Sequence, residues 1–257
     1  MTSAIFITVR TSSTRLPAKA LLPLYEDTPL IQHIINRAKL SNRAKRIILC
    51  TTNESVDDIL CEIASKSGVD FYRGPTEDKL ERWNQAAQKF DVKYFSTFDG
   101  DDPLCCPKLI DASLDQIERN ELDFIESSNI ATGGFTYAIS SEALSKVCEI
   151  KESNETEMMW TYFKDTGLFK LGELEGVSEK LKNVPVRLTL DYPEDLEFFR
   201  EIFARMEMKH QIPLESVVEL LMVDDTLRNM NYFRQGDFLE NQAKKTHLKI
   251  KGNQIEE

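Results

Sequence analysis

The sequence predicts an α/β fold with a doubly wound, mostly parallel sheet, and three observations support that class. Short apolar runs alternate with amphipathic stretches, which is the order expected of successive βαβ units. Within the amphipathic stretches, apolar residues recur at helical spacing. Hydrophobic residues make up 41% of the 257 residues, which is ample for the core of one large domain.

Five predicted strands follow one another at fairly even intervals. The first is the apolar stretch AIFITV, residues 4–9, and the second is RIILCTT, residues 46–52. The runs VDFYRG, YFSTFDG and DFIESS follow at residues 69–74, 94–100 and 123–128. Because helical patterns separate these runs, most strands of the sheet are expected to be parallel.

The helices between these strands have recognisable ends and inward faces. Thr28 is the expected N-cap of the first helix, and Pro29 is its expected first residue. The apolar face of this helix consists of Leu30, Ile31, Ile34, Ile35 and Ala38. In the second helix, Ile59, Ile63 and Ala64 are expected to face inward, and Gly68 is expected to end the helix.

The pattern changes after residue 129. A helix is predicted over residues 141–150, and a shorter, aromatic-rich helix around residues 157–163. The stretch VPVRLTL, residues 184–190, predicts a strand, and residues 192–206 predict the helix that follows it. Residues 211–240 have the pattern of short helices packed on the main domain.

Composition and charge exclude several classes of function. The net charge of −11 disfavours broad binding to nucleic acid or to anionic membranes, because the overall field repels polyanions. Five cysteines without a CxxC pair and three widely separated histidines predict neither a disulfide framework nor a zinc site. The sequence shows no signal-peptide pattern and no apolar run of membrane-spanning length, so a reducing cytoplasm is the expected location.

A cationic segment follows the first predicted strand. Residues 9–24, VRTSSTRLPAKALLPL, contain Arg10, Arg15 and Lys19 but no acidic residue. If the first strand is buried, these cations lie on the loop that leaves its carboxyl end, where open α/β sheets bind ligands. Arg and Lys side chains, with hydroxyls and loop amides, suit a triphosphate, although a solvated surface loop is the plainer alternative.

Three acidic residues end another predicted strand. Asp99, Asp101 and Asp102 lie in the stretch DGDDPL, where carboxylate oxygens could hold Mg²⁺ against phosphates. Asp102 fits the alternative role of capping the next helix better than it fits catalysis. The triplet Asp99-Gly100-Asp101 also has the form of the DxD motif of metal-dependent glycosyltransferases.

Four ordered blocks of the sequence resemble one enzyme family. They are RxxSxRLPxK at residues 10–19, VDFYRGPTEDKLERW at 69–83, DGDDPL at 99–104 and VRLTLDYPEDL at 186–196. Together they resemble the sugar-activating cytidylyltransferases, in particular the spore-coat-polysaccharide type, which is related to the 3-deoxy-manno-octulosonate (Kdo) and acylneuraminate enzymes. The resemblance covers roughly residues 4–205 and implies a Rossmann-like nucleotidyltransferase fold.

The resemblance also implies an activity and its nucleotide site. A Mg²⁺-dependent enzyme would transfer CMP from CTP to a sugar acid, or to a phosphorylated sugar or polyol, and release pyrophosphate for surface glycan synthesis. The implied catalytic residues are Arg10, Arg15, Lys19, Asp101 and Asp191, of which Asp101 and Asp191 would hold the metal. The implied nucleotide-binding residues are Arg10, Ser12, Ser13, Arg15, Lys19, Arg73 and Asp101. Asp191 could instead cap the helix that begins at Pro193, and Arg73 could form a surface ion pair.

The acceptor side follows from the same resemblance. Its implied residues are Gly133, Gly134, Glu157 and Arg187. The two glycines could instead form a plain turn, and Arg187 could contact phosphate or neutralise the acidic cluster. The sequence departs from the family pattern at Ser12 and Ala18, where the family has glycine, at Cys106, where it has an acid, and at Met158, where it has histidine. The departures at Cys106 and Met158 affect the acceptor side of the site.

These observations predict one nucleotidyltransferase domain over residues 1–240. Residues 1–128 would form its CTP-binding half, 129–210 its acceptor-side half, and 241–257 a polar, frayed tail. A homodimer is expected through the apolar region 158–172, where aromatic residues are interpreted as core or dimer contacts. Two other functions stay open: a DxD-type glycosyltransferase, and a nucleotide-binding module without turnover.

Overall fold

The computed structural model describes residues 2–246 and 248–252. A seven-stranded sheet lies at its centre, with the strands in the order β5-β4-β1-β6-β8-β7-β9. These strands are β1 (Ser3–Thr8), β4 (Arg46–Thr52), β5 (Asp70–Gly74), β6 (Tyr94–Asp99), β7 (Phe124–Glu126), β8 (Ala138–Ser140) and β9 (Leu171–Glu173). Two short strands, β2 (Pro23–Tyr25) and β3 (Thr28–Pro29), pair with each other in a separate ribbon.

The sheet is mostly parallel, as the sequence predicted. Strands β5, β4, β1 and β6 are parallel neighbours, and β7 is parallel to β9. Strand β8 runs antiparallel to its neighbours β6 and β7. All five predicted strands are present, as β1, β4, β5, β6 and β7.

Helices cover both faces of the sheet. They are α1 (Leu30–Ala38), α2 (Asp58–Lys66), α3 (Lys79–Lys89), α4 (Pro107–Arg119), α5 (Ser141–Ile150), α6 (Thr161–Lys164), α7 (Pro193–Arg205), α8 (Leu214–Val223), α9 (Asp225–Tyr232) and α10 (Gln235–Lys245). Alternate side chains of β1 enter two separate cores, because successive residues of a strand point to opposite faces. Ile5 and Ile7 join the core that includes α1 and α7, whereas Phe6 joins the core with Trp83 of α3 and Phe163 of α6.

The helix ends differ from the sequence prediction by small amounts. The predicted apolar face of α1 is buried throughout, but the helix starts at Leu30, with Pro29 rather than Thr28 at the N-cap position. In α2, Ala64 is buried, but Ile59 is 38% exposed, so its inward assignment was wrong. Gly68 follows that helix with φ of 66°, a left-handed conformation that glycine adopts without strain.

One segment in the second half departs from expectation. Residues 184–190 belong to no strand, and two of their backbone N–H groups donate to loops instead. The Leu188 N–H donates to the Thr132 carbonyl at 2.9 Å, and the Leu190 N–H donates to the Asp101 carbonyl at 2.7 Å. The predicted strand is therefore replaced by a segment that is fixed through loop contacts.

The expected frayed tail is also partly ordered. Helix α10 runs through position 240 to Lys245, and Ile250 forms a β-bridge with Lys151. Position 247 and residues 253–257 of that predicted tail lie outside the described residues. Among the residues described, we find no helix that has both the length and the apolar character needed to cross a bilayer.

Candidate active site

A cleft of about 310 Å³ opens where β1 and β6 end. The last residues of these neighbouring strands, Thr8 and Asp99, are paired in the sheet, so the loops that follow them start side by side. The cleft is lined by eight of the residues predicted from the sequence: Arg10, Ser12, Ser13, Arg15, Lys19, Asp101, Glu157 and Asp191. The four other predicted residues, Arg73, Gly133, Gly134 and Arg187, do not line it.

The loop after β1 is held in a folded-back shape. Both the backbone N–H and the hydroxyl of Thr11 donate to Asp57 Oδ1, at 2.8 and 2.6 Å. The Ala18 N–H donates back to the Thr11 carbonyl at 3.2 Å. Ala18 has φ of 53°, in the left-handed region, which is a physical reason for glycine to be favoured at this position. The Asp57 anchor was not predicted, because it depends on a contact across 46 residues.

Lys19 joins the two aspartates that the sequence predicted as metal ligands. Its Nζ lies 2.8 Å from Asp101 Oδ2 and 2.9 Å from Asp191 Oδ1. It also donates to the Leu190 carbonyl at 2.9 Å. Burial lowers the pKa of Lys19, but the charges of Asp101 and Asp191 together raise it by more than burial lowers it. The pKa of Lys19 is therefore above its usual value, and the side chain stays cationic. Two carboxylates from distant parts of the chain therefore share one cation.

Asp191 is a buried carboxylate surrounded by cations. Its Oδ1 accepts from Arg15 as well as from Lys19, while its Oδ2 accepts from Arg187 at 3.0 Å. Burial raises the pKa of Asp191, but the charges of Lys19, Arg15 and Arg187 outweigh it and lower the pKa overall. Asp191 is therefore ionised, and its Oδ1 contacts Arg15 and Lys19, the two cations of this group that line the cleft.

A second buried network supports Asp191 from behind. Arg187, itself 1% exposed, donates to both oxygens of Asp195 at 3.0 and 3.1 Å. Asn231 of α9 donates to Asp195 Oδ1 at 2.9 Å and to the Arg187 carbonyl at 3.2 Å. Asp195 Oδ2 in turn accepts the backbone N–H groups of Asp191 and Tyr192. The network therefore fixes both the side chain and the backbone of Asp191.

This network corrects two alternatives raised by the sequence. Tyr192, not Asp191, occupies the N-cap position of α7, and Asp195 satisfies the backbone there. Arg187 is too deeply buried to contact an acceptor. Its ion pairs with Asp191 and Asp195 match the alternative role, the neutralisation of acidic side chains.

The three acidic residues after β6 have different surroundings. The carboxylates of Asp99, Asp101 and Asp102 lie within 4.8 Å of one another. Lys79 lies 3.6 Å from Asp99 Oδ1, an oxygen that has no hydrogen-bond partner among the described residues. Burial and then the charges of Asp101 and Asp99 raise the pKa of Asp102 well above its usual value. Asp102 does not cap α4, since Cys106 occupies that N-cap position, so the capping assignment was wrong.

Two glycines permit close backbone approaches beneath the cleft. A Cβ on Gly100 would lie 2.6 Å from the Cβ of Val9, so glycine lets the loop after β6 touch the loop after β1. Gly133 has φ of 94°, and a Cβ there would lie 2.1 Å from the Leu188 carbonyl oxygen. Gly133 thus allows its loop to pack against the segment that leads to Asp191, instead of lining the cleft.

Arg73 is engaged away from the cleft. Its guanidinium donates to the carbonyls of Thr52 and Glu54, at 2.9 and 2.8 Å, and pairs with Asp58. These contacts tie the end of β5 to the loop after β4. The alternative of an ion pair, which the sequence left open, therefore matches its position better than a nucleotide contact does.

The other end of the cleft combines apolar surfaces with loosely paired charges. Tyr137, Met158, Trp160 and Phe238 line it, together with Gln242 and Lys245 of α10. Glu157 lies 3.3 Å from Lys245 and 3.7 Å from Arg10. Tyr162 and Phe163, by contrast, are buried in the core and do not reach the cleft.

Several cleft residues were not predicted from the sequence. Lys79 and Arg82 belong to the block at residues 69–83, which carried the family resemblance but drew attention only to Arg73. The sequence signal that could have identified them is their spacing of three residues, which places both side chains on one face of α3. The α10 residues Gln242 and Lys245 had no such signal, because a polar terminal stretch has the composition of a solvated tail.

Comparisons with known proteins agree with this geometry. A model of the cytidylyltransferase family matches residues 4–245. An uncharacterized protein of Methanocaldococcus jannaschii is 28% identical over 88% of this chain and 92% of its own length. The spore coat polysaccharide biosynthesis protein SpsF of Bacillus subtilis is 24% identical over 84% of this chain and 92% of its own. A 3-deoxy-manno-octulosonate cytidylyltransferase of Chlorobium limicola is 32% identical, but over 45% of each chain.

Solved structures extend the comparison to three dimensions. A cytidylyltransferase from Leptospira borgpetersenii superposes with a TM-score of 0.80 at 26% identity, covering 89% of this chain and 98% of its own. A CMP:2-keto-3-deoxy-manno-octonic acid synthetase complexed with CTP superposes with a TM-score of 0.60 at 18% identity. It covers 80% of this chain and 99% of its own, and at that identity it supports the fold alone.

Proposed function

The chain belongs to the cytidylyltransferase family, as its sequence motifs predicted, and from that premise we propose how it works. It transfers CMP from CTP to a sugar-type acceptor that carries an acid or phosphate group, and it releases pyrophosphate. The observation that carries this proposal is the Lys19 bridge, which joins the loop after β1 to Asp101 and Asp191 in one cleft. The family assignment disfavours the glycosyltransferase alternative.

The nucleotide end of the cleft, by which we mean Arg15, Lys19, Asp101 and Asp191, has the charges that a triphosphate requires. Arginine and lysine bind phosphate oxygens through charge-assisted hydrogen bonds. Carboxylates hold these two cations at the cleft, so they are already in place for a ligand. The neighbouring residues Arg10, Ser12 and Ser13 line the same cleft and would add a third cation and two hydroxyls.

The residues at this end also fit a divalent cation. One nitrogen, Lys19 Nζ, lies within 2.9 Å of three oxygens, from Asp101, Asp191 and the Leu190 carbonyl. Carboxylate and carbonyl oxygens are the ligands that Mg²⁺ accepts in proteins. Asp101 and Asp191 would therefore hold Mg²⁺ with CTP. When bound, the metal would neutralise charge on the phosphates and polarise the phosphoryl group.

The reaction needs little covalent chemistry from the protein. The acceptor attacks the α-phosphorus of CTP in line through a phosphate oxygen, or through a hydroxyl oxygen whose proton passes to water. The bond from that phosphorus to the oxygen bridging the β-phosphate breaks. The electron pair leaves with pyrophosphate, whose negative charge Arg15 and Lys19 stabilise. Arg187 and Asp195 keep the Asp191 carboxylate fixed while the charge moves, so little reorganisation is required.

The acceptor class is proposed from the character of the cleft and the family likeness. Tyr137 and Trp160 offer flat apolar surfaces of the kind that contact sugar rings, next to the charged side chains of Glu157 and Lys245. A sugar acid or a phosphorylated sugar or polyol combines an apolar ring or carbon face with an anionic group. Surface glycan or polysaccharide synthesis is the setting we propose for the product.

Pyrophosphate release tests the function directly. The purified protein would be incubated with Mg²⁺, each of the four ribonucleoside triphosphates in turn, and a panel of sugar acids and phosphorylated sugars and polyols. We expect pyrophosphate only with CTP and only with an anionic acceptor. Binding of CTP without release across a broad panel would instead support the non-catalytic nucleotide-binding module.

Location and assembly are further parts of the proposal. All five cysteines are free thiols, and four of them are buried, which is consistent with a reducing cytoplasm. A homodimer would use the region 158–172, where Leu168 and Leu171 are 40% and 46% exposed. Because Tyr162 and Phe163 are buried in the core, the apolar patch left for a partner is smaller than the sequence suggested. Sedimentation at several micromolar concentrations would test the assembly.

A further inference from the structure

The chain after α9 forms part of the cleft wall and is tied to the rest of the molecule on both sides of α10. We call helix α10 and residues 248–252 the C-terminal strap. Its start is tied to the Asp191 side, where Gln235 donates to Thr132 at 3.3 Å and accepts from Arg187 at 3.3 Å. Its end is tied to the C-terminal end of α5, where the backbone of residues 249–251 bonds to residues 150 and 152 at 2.8 to 2.9 Å. The helix between these ties forms one wall of the cleft.

One face of α10 points into the cleft. Phe238, Gln242 and Lys245 all line it, and their spacing of four and three residues places them on one side of a helix. Phe238 anchors this face, because its ring lies 4.7 Å from the guanidinium carbon of the buried Arg187. Gln242 and Lys245 lie one and two turns further on and bring an amide and an ammonium to the cleft.

Lys245 is held weakly enough to be recruited by a ligand. Its Nζ lies 3.3 and 3.5 Å from the two oxygens of Glu157, longer than the 2.8 to 2.9 Å contacts of Lys19. Both side chains are nearly half exposed, and ion pairs of that kind contribute little. Glu157 also pairs with Arg10 at 3.7 Å, and Lys79 lies close enough to lower its pKa. Of these cations, Arg10 is shared with Glu77 at 3.9 Å and Lys79 with Asp99 at 3.6 Å. Lys245 is held by Glu157 through its two long contacts and can turn to the anionic group of a ligand.

From this arrangement we infer that the C-terminal strap forms the acceptor subsite and that Lys245, with Gln242, determines acceptor specificity. The two side chains bind the anionic group of the acceptor, a carboxylate or a phosphate, while its carbon face packs on Trp160. The inference rests on the proposed function and adds to it the part of the chain that selects the acceptor.

Tryptophan fluorescence provides a test that does not require turnover. The chain has two tryptophans, and Trp83 is fully buried, so a ligand in the cleft can contact only Trp160. With Mg²⁺ and an unreactive CTP analogue present, in which methylene replaces the oxygen between the α- and β-phosphates, the protein would be titrated with two sugar acids, 3-deoxy-manno-octulosonate and N-acetylneuraminate. It would also be titrated with two polyol phosphates, glycerol 3-phosphate and erythritol 4-phosphate. The methyl esters of the acids and the unphosphorylated polyols are the neutral counterparts.

The variants separate the strap from the nucleotide end. We expect at least one anionic compound to change the fluorescence saturably and its neutral counterpart not to. Lys245→Met should weaken that binding by about tenfold or more, the cost of one hydrogen bond to a charged group. Lys245→Arg should retain most of it. Lys244→Met is the matched control, because Lys244 pairs with Glu240 and does not line the cleft.

The outcomes also distinguish the inference from the proposed function. Binding of a sugar acid would identify the anionic group as a carboxylate, and binding of a polyol phosphate would identify it as a phosphate. Unchanged affinity in Lys245→Met, equal binding of neutral compounds, or binding of CTP with no binding of any anionic compound would each overturn the inference. Failure to bind CTP itself would overturn the proposed function and the inference that rests on it. CTP affinity should be the same in the wild type and all three variants.

Discussion

The two ends of the cleft differ in how their charges are held. At the nucleotide end, Lys19 lies 2.8 to 2.9 Å from Asp101 and Asp191, and Asp191 is fully buried. At the other end, Lys245 lies 3.3 Å from Glu157, and the two side chains are 44% and 48% exposed. The Asp191 carboxylate is fixed by its surroundings, whereas the charges at the other end are free to rearrange.

This difference matches the two tasks of a transferase. Stabilising a charged transition state requires groups that are already in place, since reorganisation during the reaction would raise the barrier. Selecting an acceptor requires groups that can leave one partner for another at little cost. The family motifs lie mainly at the nucleotide end, where the departures are the two small residues Ser12 and Ala18, whereas Met158 replaces a histidine at the other end. We therefore expect substitutions at the two ends to affect different measured quantities.

The largest expected effect follows removal of either aspartate at the nucleotide end. Asp101→Asn and Asp191→Asn should each lower turnover by about 10²-fold or more, the size seen when one preorganised charge-stabilising group is lost. Their stabilities should differ, because the side chain of Asp101 is 30% exposed and that of Asp191 is buried among three cations. Urea unfolding should show a loss only for Asp191→Asn. Near wild-type pyrophosphate release by Asp101→Asn would contradict the assignment.

The next largest effect is expected when Arg187, which supports Asp191 from behind, is removed. Arg187→Met leaves Asp195 buried without its cation, which should cost about 3–5 kcal/mol in the free energy of unfolding. Arg119→Met is the matched control, since Arg119 pairs with Glu175 at 2.8 Å but both side chains are 61% exposed. That variant should lose at most about 1 kcal/mol. Equal losses in the two variants, measured by urea unfolding, would remove the distinction between buried and exposed pairs.

A smaller effect concerns the anchor of the loop after β1. Burial raises the pKa of Asp57, but hydrogen bonds from Thr11 and Thr52 together lower it more, so its folded pKa lies below the unfolded one. Its contribution to stability is therefore complete above the unfolded pKa of about 3.9 and is lost as the pH falls through the folded value.

Asp57→Asn tests this dependence. The variant should lose about 1–3 kcal/mol at pH 7, the cost of weakening buried, charge-assisted hydrogen bonds. Its difference from the wild type should shrink as unfolding is measured at successively lower pH, from about 4 to about 2, the range below the unfolded pKa. A difference that stays constant over that range would mean that the pKa of Asp57 is not lowered by folding.

The smallest effect is expected at Arg73. Its guanidinium binds carbonyls of the loop after β4 and Asp58, outside the cleft. Arg73→Met should therefore leave the Kd for CTP unchanged within about twofold, and should reduce stability by about 1–2 kcal/mol. Isothermal titration with CTP and Mg²⁺ checks this. A tenfold rise in the Kd would restore the nucleotide role that the sequence resemblance implied.

The features that could be predicted from the sequence are those that depend on residues close together along the chain. The alternation of strands and helices is a local pattern, and it was sufficient to predict the sheet and its five leading strands. The cations of the loop after β1 and the aspartates after β6 were found because strand ends meet at one edge of the sheet. The nucleotide end was therefore the predictable part of the site.

The remainder depended on contacts between distant residues. Residues 184–190 have the composition of a strand, but their backbone bonds to the loops at Thr132 and Asp101, which no local pattern reports. The buried position of Arg187 depends on Asn231, which lies 44 residues further along the chain. The polar residues of α10 have the composition of a tail because their partners, Thr132 and Glu157, lie 103 and 88 residues earlier.

The Lys19 ammonium lies between Asp101 and Asp191, where we propose that a divalent cation binds together with CTP. A crystal structure with CTP and Mg²⁺, or with Mn²⁺ and its anomalous signal, tests this most directly. We predict a metal ion bound to Asp101 Oδ2 and Asp191 Oδ1, with Lys19 moved onto the phosphates. Lys19 remaining between the two carboxylates, with CTP bound and the metal elsewhere, would contradict this claim.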